Sequence, residues 1–351
     1  MSQDIVTGVG HRPGSIEGRE PTAPPASLLD PVAPERRAFL AEVAELYYLD
    51  QLSQQDIARR LRISRSTVSR LLTEARDTGV IEFRINSESV RDQGLEQRLS
   101  ERLGLPCSVV SNDGESGSVR AIGNVAARRV ERMMKVSGVV AMTHGGTVYE
   151  TVRAIRFERM PDVRMVQMAG FEVGNSHTHG WSLIRLCFER IGNRYRYIHA
   201  PLFVASEDLR GAIANDPLHA GTLELARDAD IALIGVGTVD PETSSLARAG
   251  HLDQQALAQA RSAGSVGAVN GFHYRLDGTL LSTLNQHVIG LRPTELSEDT
   301  HRIVIAGGAS KVLPVIGSVR GGWCDELVTD AACATGILEA FDGPNGAQAT
   351  S

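Results

Sequence analysis

The stretch from Ser53 to Arg76, SQQDIARRLRISRSTVSRLLTEAR, leaves little freedom in how it folds. Ile57, Ala58 and Leu61 recur on one helical face, and Val68, Leu71, Leu72 and Ala75 recur on another. Arg62 and Ile63 make a tight turn between them. Ser53 stands where an N-cap is needed, and Asp56 three residues on is spaced to reach back to its amide as in a capping box. Ser64 is placed to cap the second helix. A preceding helix from Pro34 to Leu49, with Phe39, Leu40, Val43, Leu46 and Tyr47 on one side, is expected to pack behind the pair and complete a three-helix core.

The outward face of the second helix carries the chemistry. Helix interiors usually avoid Ser and Thr, whose hydroxyls compete for backbone hydrogen bonds. Here Arg65, Ser66, Thr67, Ser69 and Arg70 fill the first two turns. Arginine forms paired bonds to guanine in the major groove, and hydroxyls bond base edges or phosphate. A recognition helix reads bases with its N-terminal residues. With Ser53 and Gln54 at the head of the first helix, these residues are the candidate contacts to double-stranded operator DNA. Between Ser53 and Arg76 there are six arginines against Asp56 and Glu74, whereas the whole chain carries a net charge of −6. A local basic patch on an acidic chain fits one small DNA-binding module.

The rest of the 351 residues divides by composition. Residues 1–34 are rich in Pro, Gly, Ser and Glu and are expected to be a disordered tail. Residues 35–88 form the helix-turn-helix domain. Asp77-Thr78-Gly79 ends its last helix, and the alternation in Val80–Ile85 predicts a strand that makes the module a winged one. Residues 86–91 read as a polar connector. From 89 to 341 helical patterns alternate with short β-branched runs. Strands are expected at Cys107–Val110, Val139–Met142, Val163–Met168, Ile231–Val236, Ile303–Ala306 and Glu326–Val328. Leu95, Leu99 and Leu103 mark one helix, and others are expected over Ile122–Met134, Val148–Phe157 and Ala309–Val319, and from Ala331 to Phe341. Such alternation predicts an α/β domain with a parallel, doubly wound sheet. Residues 342–351 are expected to be a second disordered tail.

Composition excludes several classes. The chain is 42% hydrophobic and 22% charged, ordinary for a protein with a substantial core. No apolar run approaches the ~20 residues of a membrane span, and residues 1–25 lack a basic start followed by an apolar core. A cytoplasmic protein with no membrane partner is therefore expected. Cys107, Cys187, Cys324 and Cys333 match no zinc spacing and read as reduced thiols. His177-Thr178-His179 has no carboxylate or cysteine at metal-ligand spacing. No cofactor or metal is expected. No nucleophile elbow and no paired acid and base are apparent, so no catalytic residue is assigned. Trp181 and Trp323 read as packing residues.

Doubly wound sheets bind ligands beyond the carboxyl ends of their strands, and three such ends stand out. Thr143-His144-Gly145-Gly146-Thr147 runs from a strand through glycines into a helix, whose free amides favour an anion. Gly307, Gly308 and Lys311 repeat that layout, with a cation set against its own helix dipole. Each glycine turn alone is also ordinary loop chemistry. Asn270 at a third strand end is placed to bond a sugar hydroxyl, while Asp277-Gly278 reads as a hairpin turn. Gly235 to Asp240 has Asp where a dinucleotide fingerprint needs its third glycine and is set aside.

Taken together, YYLDQLSQQDIARRLRISRSTVSRLLTEARDTGVIEF, HAPLFV (199–204), IALIGVGTV (231–239), GAVNGFHYRLDG (267–278) and VIAGGASKVLPVIGSVRGGWCDELVTDAACATGIL (304–338) resemble the SorC family of bacterial transcriptional regulators. The likeness covers about residues 35–340. It implies an effector domain similar in fold to sugar-phosphate isomerases, acting as a sensor of a sugar, polyol or sugar phosphate, in a homodimer or homotetramer. Carried over, the family's ligand loops match Gly145, Gly146 and Thr147, and Gly307, Gly308 and Lys311. The family's strand-end acid aligns around Asn270, where the acid is absent, and Thr143-His144 also departs from its pattern. The function so implied is control of carbohydrate or polyol genes by a bound effector. An isomerase or hydrolase of sugar phosphates fused to a DNA-binding module is the alternative, and a purely oligomerising α/β domain a third reading.

Overall fold

The computed structural model describes residues 34–81, 91–111, 115–134, 137–171 and 180–342, in two compact units that divide between residues 87 and 88. The expected tails, the strand residues 82–85, most of the polar connector and the His177-Thr178-His179 segment lie outside the described residues.

In the first unit, helices α1 (Pro34–Tyr48), α2 (Gln54–Leu61) and α3 (Arg65–Asp77) surround one core. Leu40, Val43 and Leu46 of α1 meet Ile57 and Ala58 of α2 and Val68, Leu71, Leu72 and Ala75 of α3. The two serines act as read. Ser53 Oγ accepts the Asp56 amide at 3.2 Å, and Ser64 Oγ accepts the Thr67 amide at 3.0 Å. Asp56 does take part in the first cap, but its carboxylate accepts the Ser53 hydroxyl at 2.6 Å. Arg62 closes α2 in the left-handed conformation, with φ +56°. The sharp turn this makes lets Ile63 return its amide to Ala58 O at 3.0 Å. Val80 and Ile81, expected to open the wing strand, form a turn instead. Both donate their amides to Ala75 O and pack half-buried on the core.

The second unit contains strands β1 (Cys107–Val110), β2 (Ser137–Met142), β3 (Asp162–Phe171), β4 (Tyr195–Pro201), β5 (Ile231–Ile234), β6 (Gly237–Thr238), β7 (Gly267–Val269), β8 (Phe272–Tyr274), β9 (His301–Ile305) and β10 (Glu326–Asp330). Seven of them form a parallel sheet in the order β1-β10-β9-β5-β2-β3-β4. Helices cover both faces, so the inner strands are buried almost throughout. Residues alternate between two cores. Val139, Ala141, Ala232, Ile234, Val304 and Leu327 enter one, with helices Gln93–Leu103, Pro217–Arg227, Val312–Arg320 and Ala331–Asp342. Val140, Met142, Leu233, Ile303, Ile305 and Val328 enter the other, under Glu115–Met133, Gly146–Ala154 and Gly180–Ile191.

Strands β6, β7 and β8 make a small antiparallel sheet. Val269 pairs with Phe272 across the two-residue turn Asn270-Gly271, whose φ angles are +51° and +79°. Positive φ at both positions is the type I′ geometry that Asn-Gly favours. A second turn follows at Asp277-Gly278, where Gly278 donates its amide to Arg275 O at 2.9 Å. A Cβ on Gly278 would lie 2.2 Å from Gly321 Cα. The four cysteines are free and buried. Trp323 is buried as expected, but Trp181, read as a packing residue, is 59% exposed.

Leu40 is fully enclosed where α1 meets the other two helices. Leu40→Ala is expected to destabilise the first unit by about 2–5 kcal/mol, the range for emptying a packed leucine site. Differential scanning calorimetry should show its transition fall while that of the second unit stays in place.

Candidate functional site

On the first unit, Ser53, Arg65, Ser66, Ser69 and Arg70 are exposed, while Gln54 and Thr67 are half-buried. Ser64 Oγ lies 2.8 Å from Ser66 Oγ and 2.7 Å from Thr67 Oγ1, so both hydroxyls turn toward the start of α3. The two acids of the segment are neutralised locally. Glu74 accepts Arg36 Nε at 3.0 Å and Nη2 at 2.6 Å, which holds its carboxyl below the usual range. Asp56 is lowered chiefly by the Ser53 hydroxyl, and it also pairs with Arg59. Among the described residues Arg60, Arg62, Arg65 and Arg70 have no carboxylate partner. The face left to solvent is cationic and hydroxyl-bearing, the chemistry that phosphates and base edges require.

On the second unit, a cavity of about 480 Å³ opens at the carboxyl ends of β2, β5, β9 and β10. Strand β2 lies between β5 on one side and its chain successor β3 on the other. The order of the sheet reverses there, which is where a crevice forms in a doubly wound sheet. All seven residues expected at a ligand are in its wall: Gly145, Gly146 and Thr147 after β2, Asn270 in the β7–β8 turn, and Gly307, Gly308 and Lys311 after β9.

Their roles in the wall differ. Helix Gly146–Ala154 starts without a side-chain cap, which leaves its first amides to the cavity. Thr147 donates its hydroxyl to Ile305 O at 3.1 Å, tying the two glycine loops together. Lys311 closes the short 3₁₀ turn Ala309–Lys311 that leads into helix Val312–Arg320. Burial lowers its ammonium to about 8, and the Arg248 charge adds to that effect. Arg248 also lines the cavity. Among the described residues neither cation has an ion-pair or hydrogen-bond partner.

Asn270 is 6% exposed. Its Nδ2 donates to Leu291 O at 3.3 Å, and its Oδ1 is buried with no partner. The type I′ turn supplies a reason for Asn where the SorC resemblance places an acid, since asparagine tolerates positive φ well. His144 is buried in the wall, with its Nε2 against the side-chain amide of Gln167. The Gly235–Thr238 segment, set aside as a dinucleotide fingerprint, also lines the cavity. Gly235 donates its amide to Thr143 Oγ1 at 2.8 Å, and a Cβ there would stand 3.1 Å from His144 O.

Sequence reasoning missed Arg248 and Asp330. Arg248 sits in a short helix with no recognisable pattern. Asp330 had a readable signal, an acid just past the expected strand Glu326–Val328. It is 3% exposed. Oδ2 accepts Ser118 Oγ at 2.7 Å and the Gly308 amide at 2.8 Å, and Oδ1 accepts the Cys333 amide at 2.9 Å. A Cβ on Gly307 would approach Asp330 Oδ2 to 2.7 Å and Ile122 Cδ1 to 2.5 Å, so glycine is required there. Asp330→Ala orphans the two amides and the hydroxyl and is expected to cost about 2 kcal/mol or more. Urea unfolding followed by circular dichroism measures it.

Residues 87–339 match the family described as "Putative sugar-binding domain", and residues 38–96 match "Crp-like helix-turn-helix domain". The chain is 28% identical over 312 residues to the deoxyribonucleoside regulator of Bacillus subtilis (strain 168), covering 87% of this chain and 98% of that one. It is 29% identical over 307 residues to the transcriptional regulator LsrR of Enterobacter sp. (strain 638), covering 86% and 92%. The full-length sorbitol operon regulator SorC from Klebsiella pneumoniae shares the fold, with a TM-score of 0.61, 23% identity, and coverage of 87% of this chain and 99% of that one. Among the described residues no helix is long and apolar enough to cross a membrane. With a sugar-binding domain matched over most of its length and a helix-turn-helix ahead of it, the chain belongs to the SorC family of sugar-responsive, DNA-binding transcriptional regulators.

Proposed function

We propose that the α/β unit binds a phosphorylated sugar or polyol, and that occupancy changes the grip of the helix-turn-helix on its operator. The observation that carries the ligand class is the pair of unpartnered cations, Lys311 and Arg248, facing a cavity whose loop amides also favour an anion. The phosphate is assigned to Lys311, Arg248 and the amides after Gly145. Asn270 Oδ1 and Thr243 Oγ1, both buried without partners, are assigned to the hydroxyl end. As a cytoplasmic homodimer or homotetramer, the protein would set two recognition helices in successive major grooves of a pseudo-palindromic site. The ligand shifts that arrangement only by binding one state better than the other.

A regulator that binds without catalysis is preferred over an isomerase or hydrolase because a helix-turn-helix precedes the sugar-binding domain. The one carboxylate of the described wall, Asp330, already accepts three donors, which leaves it a structural role.

Arg65→Ala together with Arg70→Ala is expected to weaken operator binding about tenfold or more while leaving the melting temperature unchanged, since both residues are exposed. Fluorescence anisotropy on operator DNA decides, and unchanged affinity removes both residues from the interface.

A thermal-melt panel of sugars, polyols and their phosphates tests the pocket. A ligand at about 100 times its Kd adds about 2.7 kcal/mol. The stabilising compound is expected to be phosphorylated, and Lys311→Ala is expected to abolish the shift. Lys311 is charged below its pKa of about 8 and neutral above it. Phosphate affinity should therefore fall as pH rises past that value, and affinity flat from pH 7 to 10 refutes the assignment.

A further inference from the structure

A second cavity, of about 270 Å³, is lined by Arg128, Glu131, Arg132, Arg156, Arg159 and Met160. Arg128 and Arg132 are one turn apart at the end of helix Glu115–Met133, which leads toward β2. Arg156 and Arg159 belong to the loop and short turn that lead into β3. The cavity is thus built at the amino ends of the strands, whereas the first opens at their carboxyl ends.

Four guanidiniums around one hollow repel one another unless something compensates them. Glu131 does so for only one. Its side chain is 9% exposed. It accepts the Arg156 main-chain amide at 2.8 Å and Arg156 Nε at 3.0 and 3.1 Å, so both oxygens are engaged. Glu158 adds negative charge near Arg156 from an exposed position. Among the described residues Arg128, Arg132 and Arg159 have no ion-pair or hydrogen-bond partner. The carboxyl end of a helix favours cations such as Arg128 and Arg132, but that does not account for Arg159 or for the shared concavity. Glu131 has a different effect: by fixing the Arg156 backbone, it holds the turn that presents Arg159.

We infer that this hollow is a second binding site, for a small phosphate-bearing anion. Guanidinium groups match phosphate oxygens through paired, charge-assisted hydrogen bonds. The cavity is below the roughly 300–1,000 Å³ of pockets for larger organic ligands, and the side chain of its apolar lining residue, Met160, adds no competing hydrogen bond. Its concave shape fits one compact anion better than the extended phosphate row of a duplex.

The test uses full-length protein carrying Lys311→Ala and Arg248→Ala, which removes both cations of the first cavity and makes the result independent of the effector assignment. Inorganic pyrophosphate, and glycerol 3-phosphate as an organic phosphomonoester, are titrated by calorimetry. Saturable binding of one anion per chain is expected, and the tighter probe names the source. Adding Arg128→Ala and Arg132→Ala, both exposed, is expected to weaken it about tenfold or more without moving the melting temperature. Absence of saturable binding overturns the site, as does binding that the arginine variants leave unchanged. Loss of operator affinity in those variants with pyrophosphate binding intact overturns it in favour of a DNA-backbone contact.

Discussion

The carboxylate of Asp330 joins three parts of the α/β unit that share no sequence proximity. One oxygen holds the Gly308 amide and the Ser118 hydroxyl, and the other holds the Cys333 amide at the start of the last helix. A buried carboxylate is tolerated only when donors replace its water, and here three do. The glycine loop after β9, the helix after β1 and the helix after β10 are therefore positioned by one group. Any chain with this sheet order must bring those segments together, because β10 lies between β1 and β9. The carboxylate turns that adjacency into a fixed cavity wall.

Close packing explains why the wall is made from small residues. Gly307 abuts Ile122 and Asp330, and Gly235 abuts His144 and Thr143. Side chains at these points would fill the cavity or push the strands apart. Lys311 and Arg248 enter this narrow wall as its cations. Their mutual repulsion and the burial of Lys311 both disfavour charge, a cost that an anion would relieve. The wall therefore favours an anionic ligand through electrostatics as well as shape.

The helix-turn-helix was legible because its signals are local. Caps, apolar spacing and the basic face all lie within one stretch, and Ser53, Ser64 and the inner stripes behave as read. The parallel sheet was legible from its rhythm, since strands buried on both faces read as short β-branched runs. The edge strand Tyr195–Pro201 was not. Its burial alternates and its residues are mixed aromatic and charged, a pattern that a loop shares. Asn270 was found for an incomplete reason: its strand-end position pointed to ligand chemistry, while the type I′ turn that also selects it appears only once β7 and β8 are paired. Arg248 and the second arginine cluster were invisible, because long-range topology alone brings each to its neighbours, and the strand-end acid Asp330 could be read only as an acid, not for the three donors it holds.

Helix Glu115–Met133 connects the two cavities physically. Near its start Ser118 bonds Asp330 in the wall of the first, and near its end Arg128 and Arg132 line the second. Fourteen residues of helix from Ser118 to Arg132 correspond to about 20 Å. Charges so far apart are screened in solution at ordinary salt, so direct electrostatics cannot couple the sites. A helix packed along its length against β1, β9 and β10 moves as a body or not at all. Ligands in both cavities would therefore communicate only through two placements of this helix, each ligand favouring one. Linkage then requires the effect to be reciprocal: an anion at the arginine cluster would change effector affinity by the same factor by which the effector changes affinity for the anion.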